Sequence, residues 1–466
     1  MDKNNANFTE GPLFSKMMFY TIPIILTGIL QLLFNAADLV IVGQFGASKS
    51  NAVAAVGCTA SLTGLMTNFF IGCSAGSGIT VAHAIGAKQS DAVYRAVHTI
   101  IPFAVIGGGL LSIIGFVFSK PLLILMATPD NILELSAVYM KIIFLGMMPN
   151  MVFNFGASIL RAAGESRKPL YYLTFSGIVN ILLNLFFVLV LNMDVAGVAL
   201  ATVIAHFISA VLVIIELTKR NDECRLNLSK MKIYSEPLRK ILRLGLPAGI
   251  QSSLFSVSNV IIQSSINSLE LTYVGVVAGN AAAQNIQNFA FTTNEAFKQT
   301  AMNFTGQNVG AGRYDRVRKI TRIALLATAL SGIVIGMVMT YYAEPLVSIY
   351  IPDSADAVRW GTIRMLYICL PFFVGGIMDI STGVLRGMGL SVFPMFASVF
   401  GVCVFRVIWI YTVFQIPQYH TPQCLWLSYV ISWILTFATE QIILSCMLTK
   451  KIKKQKENVC EKKYDR

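Results

Sequence analysis

Residues 27–46 read TGILQLLFNAADLVIVGQFG, an apolar stretch that carries one carboxylate, Asp38. A bilayer core of about 30 Å is crossed by about 20 helical residues, so this stretch is long enough to span a membrane. Three polar residues precede Asp38 at intervals of three or four: Thr27, Gln31 and Asn35. On a helix they form one stripe, which should face a bundle interior or a water-filled cavity because an ionisable group in lipid is costly. The stripe predicts a functional acid, although an Asp that only joins two helices would leave the same pattern.

The composition predicts that the whole chain is a polytopic membrane protein. Of the 466 residues, 55% are hydrophobic and 13% are charged. The first apolar run is longer than the roughly 7–15 residues of a signal-peptide core, so we expect it to remain in the protein. Twelve spans are predicted near residues 14–43, 51–80, 94–118, 132–158, 169–192, 195–218, 238–267, 273–305, 318–342, 355–385, 392–416 and 424–449.

The net charge of +13 comes from loops and from a basic tail rather than from a soluble domain. We therefore expect contacts with anionic lipid headgroups and no nucleic-acid partner. The loops on the side of the N-terminus hold 19 Lys and Arg residues, and the loops on the other side hold 2. By the positive-inside rule, this bias predicts a multi-pass protein of the cell membrane with both termini in the cytoplasm.

The chain repeats itself with an offset of about 224 residues. The segment IGAKQSDAVYRAVHTI, from Ile85, matches VGAGRYDRVRKITRIA, from Val309. Pro23 matches Pro247 at the same offset, and the motif around Arg161 recurs farther along the chain. Because the offset covers six spans, an even number, the second half should have the same orientation in the membrane as the first.

These features predict an all-α membrane protein of twelve transmembrane helices in two parallel-repeat lobes of six. The expected divisions are an N-lobe (1–218), a cytoplasmic linker (219–236), a C-lobe (237–449) and a basic cytoplasmic tail (450–466). Such repeats are typical of transporters that open alternately to each side. The major facilitator fold also has parallel halves, but its signature is not found in the loop after the second span, GAKQSDAVYRAVH.

The sequence offers little for chemistry other than transport. The eight cysteines include no C-x-x-C pair, which argues against a zinc site or a disulfide framework. No phosphate-binding loop with Lys and Ser or Thr is present, so ATP is not expected to drive transport. Clustered His, Cys or paired carboxylates are also lacking, and we expect neither an enzyme nor a resident cofactor.

Several stretches together resemble the multidrug and toxic compound extrusion (MATE) family over nearly the whole chain. They are IPIILTGILQLLFNAADLVIVGQFGA, NAVAAVG, VAHAIGAK, ILRAAGESRKP, VAGVALATVIA, LGLPAGIQSSLFS and FTGQNVGAGRYDRV. The resemblance implies a V-shaped pair of six-helix lobes. It also implies multidrug efflux, in which amphipathic or cationic organic compounds leave the cell in exchange for protons or sodium ions.

The resemblance also implies an ion-coupling site in the N-lobe. Its expected residues are Asp38 with Tyr139, Asn154, Asn180, Asn184 and Thr202. A sodium ion would be held by Asp38, Asn180, Asn184 and Thr202. Many members have Asp where this chain has Asn184, and the sodium-coupled bacterial members have a Glu in the seventh span that is missing here. The sequence therefore leaves the choice between proton and sodium open.

Other polar residues of the spans predict a substrate cavity. Its expected residues are Gln31, Asn35, Asn259, Gln284, Asn288 and Asp379. Asp379 would attract substrate or couple an ion, or it would pair with Arg364 or Arg406. A Glu295–Lys298 ion pair is expected from their three-residue spacing. Basic residues inside the spans keep one alternative open, a flippase for a lipid-linked substrate, because lipid headgroups are anionic.

Overall fold

The computed structural model describes residues 7–45, 49–126 and 128–464, and it describes only the backbone at residues 49, 50, 60, 61, 456 and 458–464. Gly46 of the opening stretch, the first six residues and the last two residues of the predicted tail lie outside the described part. In that part the structure is helical, without a strand. The sixteen α-helices are α1 (Leu13–Phe45), α2 (Lys49–Gly86), α3 (Ser90–Leu125), α4 (Asp130–Leu145), α5 (Met147–Ala162), α6 (Arg167–Leu185), α7 (Asp194–Lys219), α8 (Ser235–Asn267), α9 (Val276–Gly310), α10 (Tyr314–Tyr341), α11 (Ala343–Tyr350), α12 (Ala355–Ile368), α13 (Phe372–Gly387), α14 (Val392–Ser398), α15 (Phe405–Tyr411) and α16 (Pro422–Tyr464).

Helices occupy all twelve predicted spans. Within the described residues, eight helices are long and apolar enough to cross a membrane, and two bent helix pairs raise the number to ten. The remaining two predicted spans correspond to α8 and α9, which have 33 and 35 residues. At 1.5 Å per residue each is about 50 Å long, well above the bilayer core, but both carry more polar residues than the other spans. The chain is therefore a multi-pass membrane protein.

The order of the helices repeats, as the sequence predicts. The first helix of each half, α1 and α8, has 33 residues and contains a proline, Pro23 or Pro247. In each half a bent helix pair forms the fourth span, α4 with α5 and α12 with α13, and the short α11 precedes the second pair. The next span of each half then contains a short π-helical segment, Phe186–Val190 or Val399–Val404. The same succession of helix types thus supports two six-span repeats.

Two spans predicted as single helices are bent. The α4–α5 pair bends by 44° and the α12–α13 pair by 48°. The second break contains Pro371, which lacks the backbone N–H that would continue the helix. The first break lies at Gly146, where the structure leaves little room for a side chain, and Pro149 follows in the next turn. Hydropathy did not show these bends because both sides of each break are apolar.

The chain divides into two compact units by packing. As far as the structure describes them, unit 1 contains Asn7 and Ile22–Ser252, and unit 2 contains Phe8–Thr21 and residues 253–464. The divisions fall inside α1 and α8 because both long helices contribute one end to each unit. The lobe boundaries expected from the sequence, which follow the membrane-spanning repeat, stay a prediction.

Phe8, in the segment before α1, is anchored in unit 2. Phe8 is 1% exposed and stacks on Phe304 with ring centroids 3.9 Å apart. Its backbone N–H donates to Gln307 Oε1 at 3.0 Å, and its carbonyl accepts from Asn308 Nδ2 at 3.1 Å. Side-chain amides of α9 therefore satisfy the backbone N–H and carbonyl of Phe8, which precedes α1 and is not part of a helix.

Within unit 1, α2 and α8 cross at glycines. Gly72 and Gly76 of α2 face Gly249 and Gly245 of α8. A methyl group on Gly76 would come within 2.5 Å of the Gly245 backbone nitrogen, and one on Gly72 within 2.6 Å of the Gly249 nitrogen. Both sequences have the G-x-x-x-G spacing, which allows the close backbone approach on which helix association in membranes relies.

Candidate functional site

The acid of the opening stretch lies inside unit 1. The side chain of Asp38 projects from α1 and is 8% exposed. Asn184 Nδ2 donates to Asp38 Oδ1, and Thr202 Oγ1 donates to Asp38 Oδ2 at 3.1 Å. Each carboxylate oxygen thus has one donor, one from α6 and one from α7. The neutral amide and hydroxyl leave the negative charge without a cationic partner among these contacts.

The donors of Asp38 are themselves joined. Asn180 and Asn184 are four residues apart on α6 and therefore lie on the same face of the helix. Asn184 Nδ2 also reaches Asn180 Oδ1 at 3.3 Å, and Asn180 Nδ2 donates to Thr202 Oγ1 at 3.4 Å. The four residues form one connected cluster in which each holds the orientation of the next. We call it the Asp38 cluster.

The Asp38 cluster is rich in oxygen atoms. It contains two carboxylate oxygens, two amide oxygens and a hydroxyl, and the oxygen Asn184 Oδ1 is buried without a hydrogen-bond partner among the residues that the structure describes. A buried acceptor without a donor is rare, and a cation or a proton brought by the carboxyl would satisfy it. Hard cations prefer such ligands, whereas the described residues contain no group of three His, Cys, Asp or Glu side chains suited to a transition metal.

Two other residues expected at this site have different positions. Tyr139 on α4 is near enough to interact electrostatically with Asp38, but none of the hydrogen bonds of Asp38 comes from it. Asn154 directs its amide at its own helix, donating to the Asn150 carbonyl at 2.9 Å and to the Asn150 side chain at 2.8 Å. Asn154 therefore belongs to the packing of α5, and the Asp38 cluster is assembled without it.

The residues expected to line a substrate cavity include four that are exposed. Gln31 and Asn35 of unit 1, and Asn259 and Gln284 of unit 2, present their side chains at the molecular surface. Polar groups on an apolar helix should meet water rather than lipid. Asn288 is half-buried on α9. Asn280, one turn before Gln284, is instead a packing residue that accepts from Trp426 Nε1 at 3.2 Å.

Asp379 has a different partner from those the sequence suggested. Its Oδ1 lies 3.5 Å from Lys298 Nζ, and Lys298 also pairs with Glu295, as their spacing predicts. All three side chains lie within unit 2, on α9 and α13. Pairing of Asp379 with Arg364 or Arg406 is therefore wrong. Asp379 therefore shares the buried Lys298 with a second carboxylate, and the buried Arg386 also interacts electrostatically with both acids.

Sequence reasoning missed one acid, Glu440 on α16. Its side chain is fully buried and accepts from Thr382 Oγ1 at 2.8 and 2.9 Å and from Ser398 Oγ at 3.1 Å. Glu440 lies in the predicted span 424–449, and the rule that made Asp38 a candidate applies to it equally. Because the basic tail begins just beyond Glu440, the sequence suggests that this acid lies at the membrane boundary rather than inside the span.

The two repeats correspond to two matches of one known family. The MatE family model matches residues 23–186 and 247–412. The two matches begin 224 residues apart, the offset of the internal repeat. Together they cover more than half of the chain, including Asp38 and Asp379.

Several known proteins are similar along most of their length. A probable multidrug resistance protein, YoeA of Bacillus subtilis, is 29% identical over 400 residues, which are 83% of this chain and 84% of the relative. Another from the same organism, YpnP, is 27% identical and covers 82% of this chain and 84% of its own. The fold is similar to that of a solved outward-facing multidrug resistance MATE family transporter of the MOP superfamily. The TM-score is 0.88 at 19% identity, over 97% of this chain and 100% of the other.

Proposed function

Since the chain belongs to the MatE family, we propose that it is a secondary active antiporter that exports amphipathic and cationic organic compounds in exchange for protons or sodium ions. Relatives named as multidrug resistance proteins support efflux of several drugs. The observation that carries the coupling is the Asp38 cluster, a buried carboxylate held only by neutral donors. Protons, coupling cations, small organic substrates and membrane lipids are the partners of this function.

The Asp38 cluster can couple an ion to a change of conformation. A ligand shifts an equilibrium between two conformations only if it binds them unequally. An ion at Asp38 would compensate its charge in the state in which the site is dry, and water would compensate it in the other state. An ion gradient can therefore bias which side of the membrane the transporter opens to. Asn180, Asn184 and Thr202 would orient Asp38 and supply further oxygen ligands.

The experiment that tests this function is efflux of a fluorescent organic cation from vesicles containing the purified chain. A proton gradient and a sodium gradient are imposed separately, and we expect one of them to accelerate efflux over vesicles without a gradient. No response to either gradient would contradict the antiporter. Translocation of a labelled lipid without cation efflux would instead support the flippase alternative, which the buried Arg364 and Arg406 suggest.

We propose that Asp379 influences which compounds are exported. Replacement by Asn removes one charge but leaves the Glu295–Lys298 pair intact, so we expect folded protein. The relative efflux rates of cationic and neutral dyes should change, because a negative charge favours cations, while the response to the ion gradient persists. Asp353→Asn, in an exposed position before α12, is the control and should resemble the unchanged protein. Equal loss for every dye together with loss of gradient response would contradict this role.

We propose that the protein lies in the cell membrane with both termini in the cytoplasm, on the strength of the 19-to-2 charge bias. Cys224 in the linker is a poor probe, because it is 2% exposed and burial raises the pKa of its thiol to about 12. Ser229→Cys introduces a thiol at an exposed position of the same linker, and Tyr342→Cys introduces one at an exposed position on the opposite side. A membrane-impermeant thiol reagent should add signal over the parent chain only for Tyr342→Cys in intact cells. The reverse labelling would overturn this orientation.

A further inference from the structure

Two arginines lie in the interior of unit 2, and neither has an acid within four residues of it in the sequence. Arg364 on α12 is 3% exposed and Arg406 on α15 is 4% exposed. A guanidinium stays charged under all physiological conditions, so burial does not remove its charge as it can for Lys or His. Each of these side chains therefore brings a permanent positive charge into the membrane-spanning bundle.

Neither arginine donates a hydrogen bond to an acid among the described residues, and Arg364 keeps donors unused. Arg364 Nη2 donates to Gln287 Oε1 at 2.9 Å, whereas its Nε and Nη1 are buried without a partner among the described residues. Arg406 Nε donates to Ser432 Oγ at 3.0 Å. These protein partners are neutral amide and hydroxyl groups. They satisfy single N–H groups and compensate neither charge.

Both arginines lie beside α16. The guanidinium carbon of Arg406 lies 3.9 Å from the centroid of the Tyr429 ring, an arrangement typical of a cation–π contact. Arg364 lies between Trp360 and Tyr367 on α12, and the rings of these two residues lie 6.5 and 6.3 Å from that of Trp426, one turn before Tyr429. Both positive groups thus belong to helix faces that pack against the part of α16 carrying Trp426 and Tyr429.

The carboxylates buried in unit 2 are engaged elsewhere. Glu295 and Asp379 share Lys298, and Glu440 is held by hydroxyl groups. No ion pair within 4.0 Å joins Arg364 or Arg406 to an acid in the part of the chain that the structure describes. Two buried positive charges without a negative partner are costly, and an anion would relieve that cost.

We propose that Arg364 and Arg406, together with Tyr429, form a binding site for an oxyanion, a carboxylate or phosphate group. The planar fork of a guanidinium matches two oxygens of such a group, and the free Nε and Nη1 of Arg364 are donors suited to this contact. The site extends the substrate class beyond organic cations to molecules that carry an anionic group. Binding at this site does not require the proposed antiport, so each can fail without the other.

The test is binding of inorganic phosphate to the purified full-length chain at constant ionic strength set with sodium chloride. Trp433 is a built-in reporter, since its ring centroid lies 6.0 Å from that of Tyr429. We expect a saturable fluorescence change and a rise in melting temperature with phosphate. Arg364→Gln and Arg406→Gln should each weaken binding about tenfold or more, because each removes charge-assisted hydrogen bonds.

The matched control is Arg359→Gln, which removes the same charge from an exposed position of α12 and should bind phosphate as the unchanged chain does. Arg406→Lys keeps the charge without the fork, so it should fold and bind more weakly. A second titration with a short-chain phosphatidic acid distinguishes a lipid headgroup from free phosphate, and saturation by either ligand supports the site. Absence of saturation by both, equal saturation by chloride, or equal weakening in Arg359→Gln would overturn it.

Discussion

Asp38→Asn is expected to abolish the acceleration of efflux by an ion gradient while the protein stays folded and binds substrate. The substitution preserves the size of the side chain but removes its charge and its ability to titrate. The N–H₂ group of the new amide would then face Asn184 Nδ2 or Thr202 Oγ1, which both donate to the carboxylate of Asp38. Asn184 can relieve this by rotating its own amide, because its Oδ1 has no partner in the described part of the chain. The cluster should therefore persist without its charge.

The expected loss of gradient-driven efflux can be estimated from the coupling free energy between the ion and the organic substrate. Such energies are typically about 1–3 kcal/mol, which corresponds to about 5- to 150-fold in affinity. We expect the gradient-driven rate to fall by a factor in this range, to the rate in vesicles without a gradient. Binding of a fluorescent cation to the detergent-solubilised protein should change little, because the substitution removes the ion site rather than the fold.

Two further variants make the test specific. Asp91→Asn removes an acid whose ion pair with Arg95 is largely exposed, and it should transport normally. Asn184→Asp should add a second carboxylate to the Asp38 cluster and strengthen the binding of sodium. Efflux by Asp38→Asn at the unchanged rate under the same gradient would contradict the role of Asp38 in ion coupling and make Asp379 the next candidate.

Gly76→Leu is expected to prevent unit 1 from assembling. A Cβ atom at Gly76 would lie 2.5 Å from the Gly245 nitrogen and 2.6 Å from the Ile241 carbonyl oxygen. These are backbone atoms, so no rotamer change makes room, and α2 must move away from α8. Overpacking of a core typically costs about 1–3 kcal/mol even where side chains can adjust. We expect loss of the monodisperse peak in size-exclusion chromatography and low yield.

Gly76→Ala provides a graded test of the same contact. Alanine favours a helix over glycine by about 0.5–1 kcal/mol, which would stabilise the protein if packing were neutral. The backbone overlap should outweigh this gain, so the melting temperature should fall. Gly64→Ala in the same helix is the control, because a Cβ there has no neighbour within 4 Å, and its melting temperature should stay equal or rise. Equal behaviour of the two alanine variants would contradict the close α2–α8 crossing.

Much of the fold could be predicted because it depends on properties that are local in sequence. Span positions follow from apolar length, since a helix satisfies its own backbone hydrogen bonds in lipid. The internal repeat could be recognised from Ile85 and Val309 onward, and the two MatE matches confirm it. The bends at Gly146 and Pro371 were not predicted, because proline and glycine also occur within continuous helices, such as α1 with its Pro23.

The Asp38 cluster was predictable in part. The spacing of Asn180 and Asn184 places both amides on one face of α6 whatever surrounds the helix. The contact of that face with Asp38 depends on how α1, α6 and α7 are rotated, which hydropathy does not determine. Asn154 illustrates the difference, since its position in a predicted span was right but its amide bonds to Asn150 on its own helix.

The class of molecule, the number and order of its spans, the repeat and the acids that membrane burial makes costly can all be read from the sequence. Which groups compensate each charge can be read only from the folded chain, because that depends on contacts between residues far apart in sequence. Lys298 pairs with Asp379 across 81 positions, and Thr382 reaches Glu440 across 58. Packing likewise gives Arg364 and Arg406 neutral partners, Gln287 and Ser432, which are 77 and 26 positions away.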